Sequence, residues 1–471
     1  MLYLLVILLP LISSFLVACS GQCYRGTAIF LSTAVFFYIG YVFLSIDYNI
    51  IDYGLLPINF FKITSLSGVF ILLTAFLVPL ALLFGWNYRN KLFFILFLIL
   101  EAIIFAFFMT DDLVLFYVCF EASLIPLFFI IGIWGSDDRR YSAFKFFLYT
   151  ALGSILLLVG IIYLQILCGT TNITSISELI NQDAILSHNV QIVIWWLIFI
   201  AFAVKVPMVP FHTWLPDAHV QAPTPGSVIL AGILIKMGAY GMIKILLTCF
   251  PEVSHEFADI VIIMSMIAVI YASLVILKQT DIKKMIAYSS VAHMGVVTAG
   301  LFSFSYYGIS GAIFQMISHG LISGALFMCI GILYERTHSR DLNGYGGLAT
   351  KMPLYSVFFI IFTMGSVGLP GTSGFIGEFL SLLGAYQFHN LYGAILLIGV
   401  VLSAVYMLFL CKKIIWGEEN INLKLSPLQA REYIPLFMIG FLMLLLGIYP
   451  SILFDVFDAQ IKDLLVIFEG I

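Results

Sequence analysis

Residues 201–225 read AFAVKVPMVPFHTWLPDAHVQAPTP, and they decide what kind of chain this is. An apolar run carries Lys205 and is then broken by Pro207 and Pro210, with Pro216, Pro223 and Pro225 close behind. Proline removes a backbone donor and clashes with the turn before it. Carbonyls freed within an apolar span are tolerated only beside protein or a water-filled cavity. A second interruption, GSVGLPGTSGFIGEF at 365–379, places Gly368, Pro370, Gly371 and Gly374 ahead of Glu378. Two interrupted helices, each with a titratable group near its break, are the sequence mark of a transporter built from inverted repeats.

The rest of the chain supplies the membrane. Of its 471 residues 62% are hydrophobic and 10% charged, which excludes an ordinary soluble enzyme. Apolar runs of some twenty residues cross a hydrocarbon core about 30 Å thick. The expected fold is an all-α polytopic membrane protein with about fourteen spans, near 2–19, 27–46, 66–85, 92–110, 112–134, 142–167, 191–216, 227–248, 259–277, 284–302, 307–333, 354–388, 391–415 and 432–450. Spans 7 and 12 are the broken ones. The opening run MLYLLVILLPLISSFLVACS has no basic region before it and reads as a retained first span.

Alternating the connections between two faces puts sixteen of the 21 Lys and Arg on one side, among them Arg139, Arg140, Lys283, Lys284, Arg336, Arg340, Lys424 and Arg431. The other side receives Lys62 and Lys462, with Asp47, Asp52, Asp111, Asp112, Glu252 and Glu256. By the positive-inside rule both termini lie on the outer side, the positive side of the membrane potential. The net charge of −4 comes without a basic stripe, so no nucleic acid partner is expected. Seven scattered cysteines and the absence of nucleotide-binding or HExxH motifs predict no metal and no cofactor bound by this chain.

Three lysines fall inside apolar runs. Lys244 is near a span end, where its stem can snorkel. Lys205 and Lys236 cannot, and Glu101, Glu121, His293 and His319 are similarly deep. A charge at the bilayer centre costs at least about 2.5–3.5 kcal/mol, so these groups face the bundle interior or a hydrated cavity. Buried salt bridges tying helices together are the plain reading, but such pairs contribute little net stability against apolar packing. A row at one depth points to moving protons. Glu378 lies 173 residues after Lys205, and His293 lies 172 after Glu121, which suggests two five-helix repeats, spans 4–8 and 9–13. The implied organisation is 1–90 (three N-terminal spans), 91–250 (first repeat), 251–417 (second repeat) and 418–471 (last span and tail).

At these residues the chain resembles the antiporter-like subunits of respiratory complex I. The resemblance is carried by DLVLFYVCFEASLIPLFFIIGIWG at 112–135, AVKVPMVPFHTWLPDAHVQAPTPGSVILAGILIKMGAYG at 203–241, DIKKMIAYSSVAHMG at 281–295 and GLPGTSGFIGEF at 368–379. It runs from about residue 91 to 450. Within the family, chains 2 and 5 and the multisubunit sodium/proton antiporters carry lysine in the second broken helix, whereas this chain has Glu378. It also stops some twenty residues past its last span, without the long lateral helix of chain 5. Many relatives have an acidic residue before the third span, where Thr64 stands here.

The resemblance implies that Glu121 and Lys205 form an ion pair, that Lys236 is the central proton carrier and that Glu378 ends the row. His293 and His319, with intrinsic pKa values near neutrality, are the expected relays. His212 and His219, seven residues apart, could share a helical face near the positive side and serve proton entry or simply cap a loop. Glu101 is expected to pair with a cation on a neighbouring span or to tune Glu121.

The implied function is proton translocation in an NADH:ubiquinone oxidoreductase, with NADH, FMN, iron–sulfur clusters and ubiquinone held by partner subunits. Chains 2 and 5 and lipids are the expected neighbours. High Phe and Ile content leans toward the mitochondrial inner membrane, with a bacterial plasma membrane as the alternative. The rival readings are a sodium/proton antiporter subunit and a structural spacer of the membrane arm.

Overall fold

The computed structural model describes residues 2–45, 61–181, 185–418 and 425–468. Asp47, Asp52 and Lys424 lie outside the described residues. In chain order the helices are α1 (Leu2–Cys19), α2 (Tyr24–Ser45), α3 (Ser65–Phe84), α4 (Lys91–Met109), α5 (Leu113–Ala122), α6 (Leu124–Trp134), α7 (Arg139–Cys168), α8 (Ile173–Asn181), α9 (His188–Lys205), α10 (Trp214–Gln221) and α11 (Thr224–Ile229). They continue with α12 (Ile235–Gly241), α13 (Pro251–Glu256), α14 (Ala258–Ile276), α15 (Ile282–Leu301), α16 (Tyr306–Thr337), α17 (Leu348–Lys351), α18 (Pro353–Val367), α19 (Ser373–Phe388), α20 (Asn390–Trp416), α21 (Ala430–Ile448) and α22 (Ser451–Phe468). Among the described residues β-pairing is confined to isolated bridges, as hydrocarbon demands of a chain that must satisfy its own backbone.

Eleven helical segments are long and apolar enough to cross a membrane among the described residues, so the expected count of fourteen is not reached on that measure. The other three expected spans correspond to α1, to α15, which carries Lys283, Lys284 and His293, and to the interrupted pair α18–α19. Beyond the last span the expected tail is a helix, α22, which buries Phe457, Ile461 and Leu464 on one face.

The chain divides into two compact units. The first comprises Met1–Val206, Ile233–Phe257 and Val456–Ile471; the second comprises Pro207–Gly232 and Ala258–Asp455. In the first unit α3 and α4 pack through rings, with Phe70 stacked on Phe108 at 5.2 Å and Tyr240 donating to the Phe108 carbonyl at 3.0 Å. Thr64 caps α3 by a capping box with Ser67. In the second unit α16 is buried along its whole apolar window and packs against α15 and α19.

Candidate functional site

Local chain chemistry builds the breaks. Pro126 has no N–H to give the Ala122 carbonyl, and the helix steps at Ser123 from α5 to α6, leaving Glu121 in the last turn of α5. Pro207 likewise ends α9 at Lys205. Between α18 and α19 the chain turns through Gly368 and Gly371, with φ of 80° and 90°, a left-handed backbone that glycine adopts without steric cost.

The first unit gathers Glu121, Lys205 and Lys236. Lys205, 1% exposed, donates from Nζ to Ser123 Oγ at 3.4 Å and stands 4.6 Å from the centre of the Phe120 ring. The expected ion pair is not closed. Glu121 is half-buried, acts on Lys205 through space, and keeps Oε2 buried without a hydrogen bond. Phe120 and Ser123, flanking Glu121 in sequence, occupy the ammonium instead.

Lys236 is fully buried on α12, which is bracketed by π-helical stretches at Leu230–Leu234 and Met242–Leu247. Such stretches hold one residue more per turn than an α-helix and recur at functional sites. Gly238 lets this helix close on α9, because a Cβ there would stand 2.7 Å from Val206 Cγ2 and 3.0 Å from the Phe202 carbonyl oxygen. The lysine helix is thereby held against the end of α9 that carries Lys205.

Two expectations in this unit change. Glu101 is fully buried, and neither of its carboxyl oxygens has a hydrogen bond; no cation pairs with it among the described residues. Lys244 does not snorkel. It lies 3.7 Å from Asp111 Oδ1 and donates to the Thr110 carbonyl at 2.5 Å, while Asp111 Oδ2 also accepts from Asn172 and Thr174.

The second unit gathers His293, His319 and Glu378, all at most 6% exposed. His293 Nδ1 is hydrogen-bonded to Glu378 Oε1, its Nε2 lies 3.3 Å from Ser366 Oγ, and its ring centre is 5.5 Å from that of His319. Gln315 completes the group by donating from Nε2 to Glu378 Oε1 at 3.1 Å. Sequence reasoning passed over Gln315. Its signal was the four-residue spacing to His319, which puts both on one face of α16.

His212 and His219 do not share a helical face. His212 lies in the turn before α10 and meets Tyr271 at 5.3 Å between ring centres, whereas His219, on α10, is stacked on Phe327 at 4.4 Å. The prolines that break the span also end the helical phase between them.

A family described as NADH:quinone oxidoreductase/Mrp antiporter, TM, matches residues 110–404. The chain is 50% identical over 404 residues to NADH-quinone oxidoreductase subunit M of Rickettsia prowazekii (strain Madrid E), covering 85% of this chain and 82% of that protein. It is 41% identical over 482 residues to NADH-ubiquinone oxidoreductase chain 4 of Marchantia polymorpha, covering 97% and 96%. A chain in the structure of respiratory complex I from Thermus thermophilus with bound NADH superposes with a TM-score of 0.90 at 28% identity, over 99% of both chains. Buried acids and bases at helix breaks, a helical fold shared end to end and half-identical relatives converge: the chain belongs to the NADH:quinone oxidoreductase/Mrp antiporter membrane family.

Proposed function

We propose that this chain is a proton-translocating membrane-arm subunit of respiratory NADH:ubiquinone oxidoreductase, of the type named subunit M in bacteria and chain 4 elsewhere. The observation that carries the reading is the Glu378 carboxylate, buried and hydrogen-bonded to His293 and Gln315 inside an apolar bundle. A carboxylate–imidazole pair can hold a proton on either partner. Lys236 and Lys205, buried beside one another's helices, give the first unit groups of the same kind. In this reading Lys236 is the central carrier, Glu121 biases Lys205 by its charge, His293 and His319 relay, and Glu378 ends the row. Moving one charge against 100 mV costs about 2.3 kcal/mol, and making or breaking a buried ion pair supplies energies of that size.

The open Glu121–Lys205 arrangement fits one position of a switch. Closing the distance stabilises the lysine charge; opening it releases the proton. Spans 4–8 and 9–13 are the proposed inverted repeats, with 1–90 and 418–471 as flanking segments. Chains 2 and 5 are the proposed neighbours, and NADH, FMN, iron–sulfur clusters and ubiquinone are assigned to partner subunits. The proposed location is the mitochondrial inner membrane, or the plasma membrane of a bacterium, with both termini on the outer side.

The test is Lys236→Ala in the assembled complex. NADH-driven proton pumping is expected to fall at least about tenfold, as for loss of a group acting directly in proton transfer. Pumping at normal stoichiometry would instead make the chain a spacer. Sodium-dependent flux in reconstituted vesicles would favour the antiporter reading, against which Glu378 speaks.

A further inference from the structure

We propose that the side-chain amide of Gln315 is a positioning group that follows the charge of Glu378, donating from Nε2 to the ionised carboxylate and accepting at Oε1 when the carboxyl is protonated. The inference rests on the proton-carrying reading of Glu378. Gln315 is 2% exposed, its Nε2 lies 3.1 Å from Glu378 Oε1, and its Oε1 is buried without a hydrogen-bond partner. An unpaired buried amide oxygen is costly, and an apolar side chain of equal length would avoid that cost. An ionised carboxylate only accepts, whereas a protonated one also donates. A primary amide does both, and a half-turn about its last bond exchanges the two functions. The idle oxygen is therefore the half of the amide that the other protonation state of Glu378 requires.

Two further features make room for this. Gly377, directly before Glu378, lacks a Cβ that would stand 2.5 Å from Gln315 Oε1 and 2.6 Å from its Cα. The α19 backbone thus leaves open the place the amide occupies. Beside it lies a cavity of ≈ 10 Å³, about the size of one water, lined by Ile322 and Leu326 as well as by Ser289, His293, Gln315 and Ser366. That space gives the amide room to turn, with the hydroxyls of Ser289 and Ser366 in its lining.

The titratable groups around Glu378 are His293 from α15, His319 from α16 and Tyr406 from α20. From α21 the charged side chains are Arg431 and Glu432 in its first turn, with Glu432 bound to Arg336, and α18 carries none. The amide is thus the neutral member of the group, able to serve either charge state without adding a charge of its own.

The experiment uses the assembled complex with Gln315→Met, which keeps the length and removes both amide functions. NADH-driven pumping is expected to fall at least about fivefold, with the pH of half-maximal rate moving about one unit alkaline, because of the two bonds lost the charge-assisted one to the ionised carboxylate is the stronger. Gly377→Ala, which crowds Oε1, is expected to shift that pH in the same direction, with assembly followed on native gels. Should the Met variant fail to assemble, Gln315→Asn, too short to reach the carboxylate, carries the same expectation. An unmoved pH midpoint in an assembled variant overturns the inference, whether or not the rate has dropped. Glu378→Gln separates the two layers: if it pumps at full rate, the reading of Glu378 fails; if it stops pumping while Gln315→Met pumps normally, only the role of the amide fails.

Discussion

The carboxyl of Glu101 sits in α4 with no partner for either oxygen, so it adds a cost to the fold and supplies no bond in return. Glu101→Leu, similar in volume and apolar, is expected to hold or raise the thermal midpoint of the assembled complex and to leave NADH-driven pumping within about a factor of two of the parent. A clear loss of pumping would instead give Glu101 a part in tuning Glu121. Residues of this kind were the easiest to find from sequence. An ionisable group in an apolar run is so expensive that its presence alone marks it, which is why Glu121, Lys205, Lys236, His293, His319 and Glu378 were all legible. Gln315 was not, because a neutral amide in FQMIS carries a smaller penalty and no charge. The distance between Glu121 and Lys205 was not legible either. The two belong to different spans, and Ser123 and Phe120 compete for the ammonium at a range that residue spacing does not encode.

At the scale of the element, the breaks followed from proline and glycine, and α9 does end at Lys205 as the sequence implied. The π-helical stretches around α12 left no such trace, since i→i+5 bonding has no residue of its own to announce it. Their neighbour Gly238 is the sensitive point. Gly238→Ala would place a methyl 2.7 Å from Val206 Cγ2 and 3.0 Å from a carbonyl oxygen that cannot yield. The expected cost is about 1–3 kcal/mol of overpacking, read as a lowered melting midpoint of the complex, together with slower pumping as the Lys236 helix moves off α9. An unchanged midpoint would mean that the two helices have slack between them. α22 was readable in principle, because Phe457, Ile461 and Leu464 follow the four-and-three spacing of a helical face. It differs from a span in its charges, since Asp455, Asp458, Lys462 and Asp463 all fall within its eighteen residues.

At the scale of the whole molecule the all-helical membrane fold was dictated by composition, whereas the order in which the chain visits its two compact units was not. Neither unit is a single run of sequence: the first takes residues from the beginning, the middle and the end of the chain. Gln460 of α22 accepts from Leu66 N at 3.0 Å and from Ser65 Oγ at 2.9 Å, and so caps the start of α3. Gln460→Ala is expected to cost about 0.5–2 kcal/mol, the value of a helix cap, and to speed hydrogen exchange at the first-turn amides of α3 while leaving the last turn unchanged. Equal exchange at both ends would show that the cap contributes nothing. The bond from Gln460 to Ser65 spans 395 residues. A ribosome must therefore deliver nearly every other helix before the third one receives its lid, and the early part of the chain waits in the bilayer half-finished, dependent on whatever shields it during biogenesis.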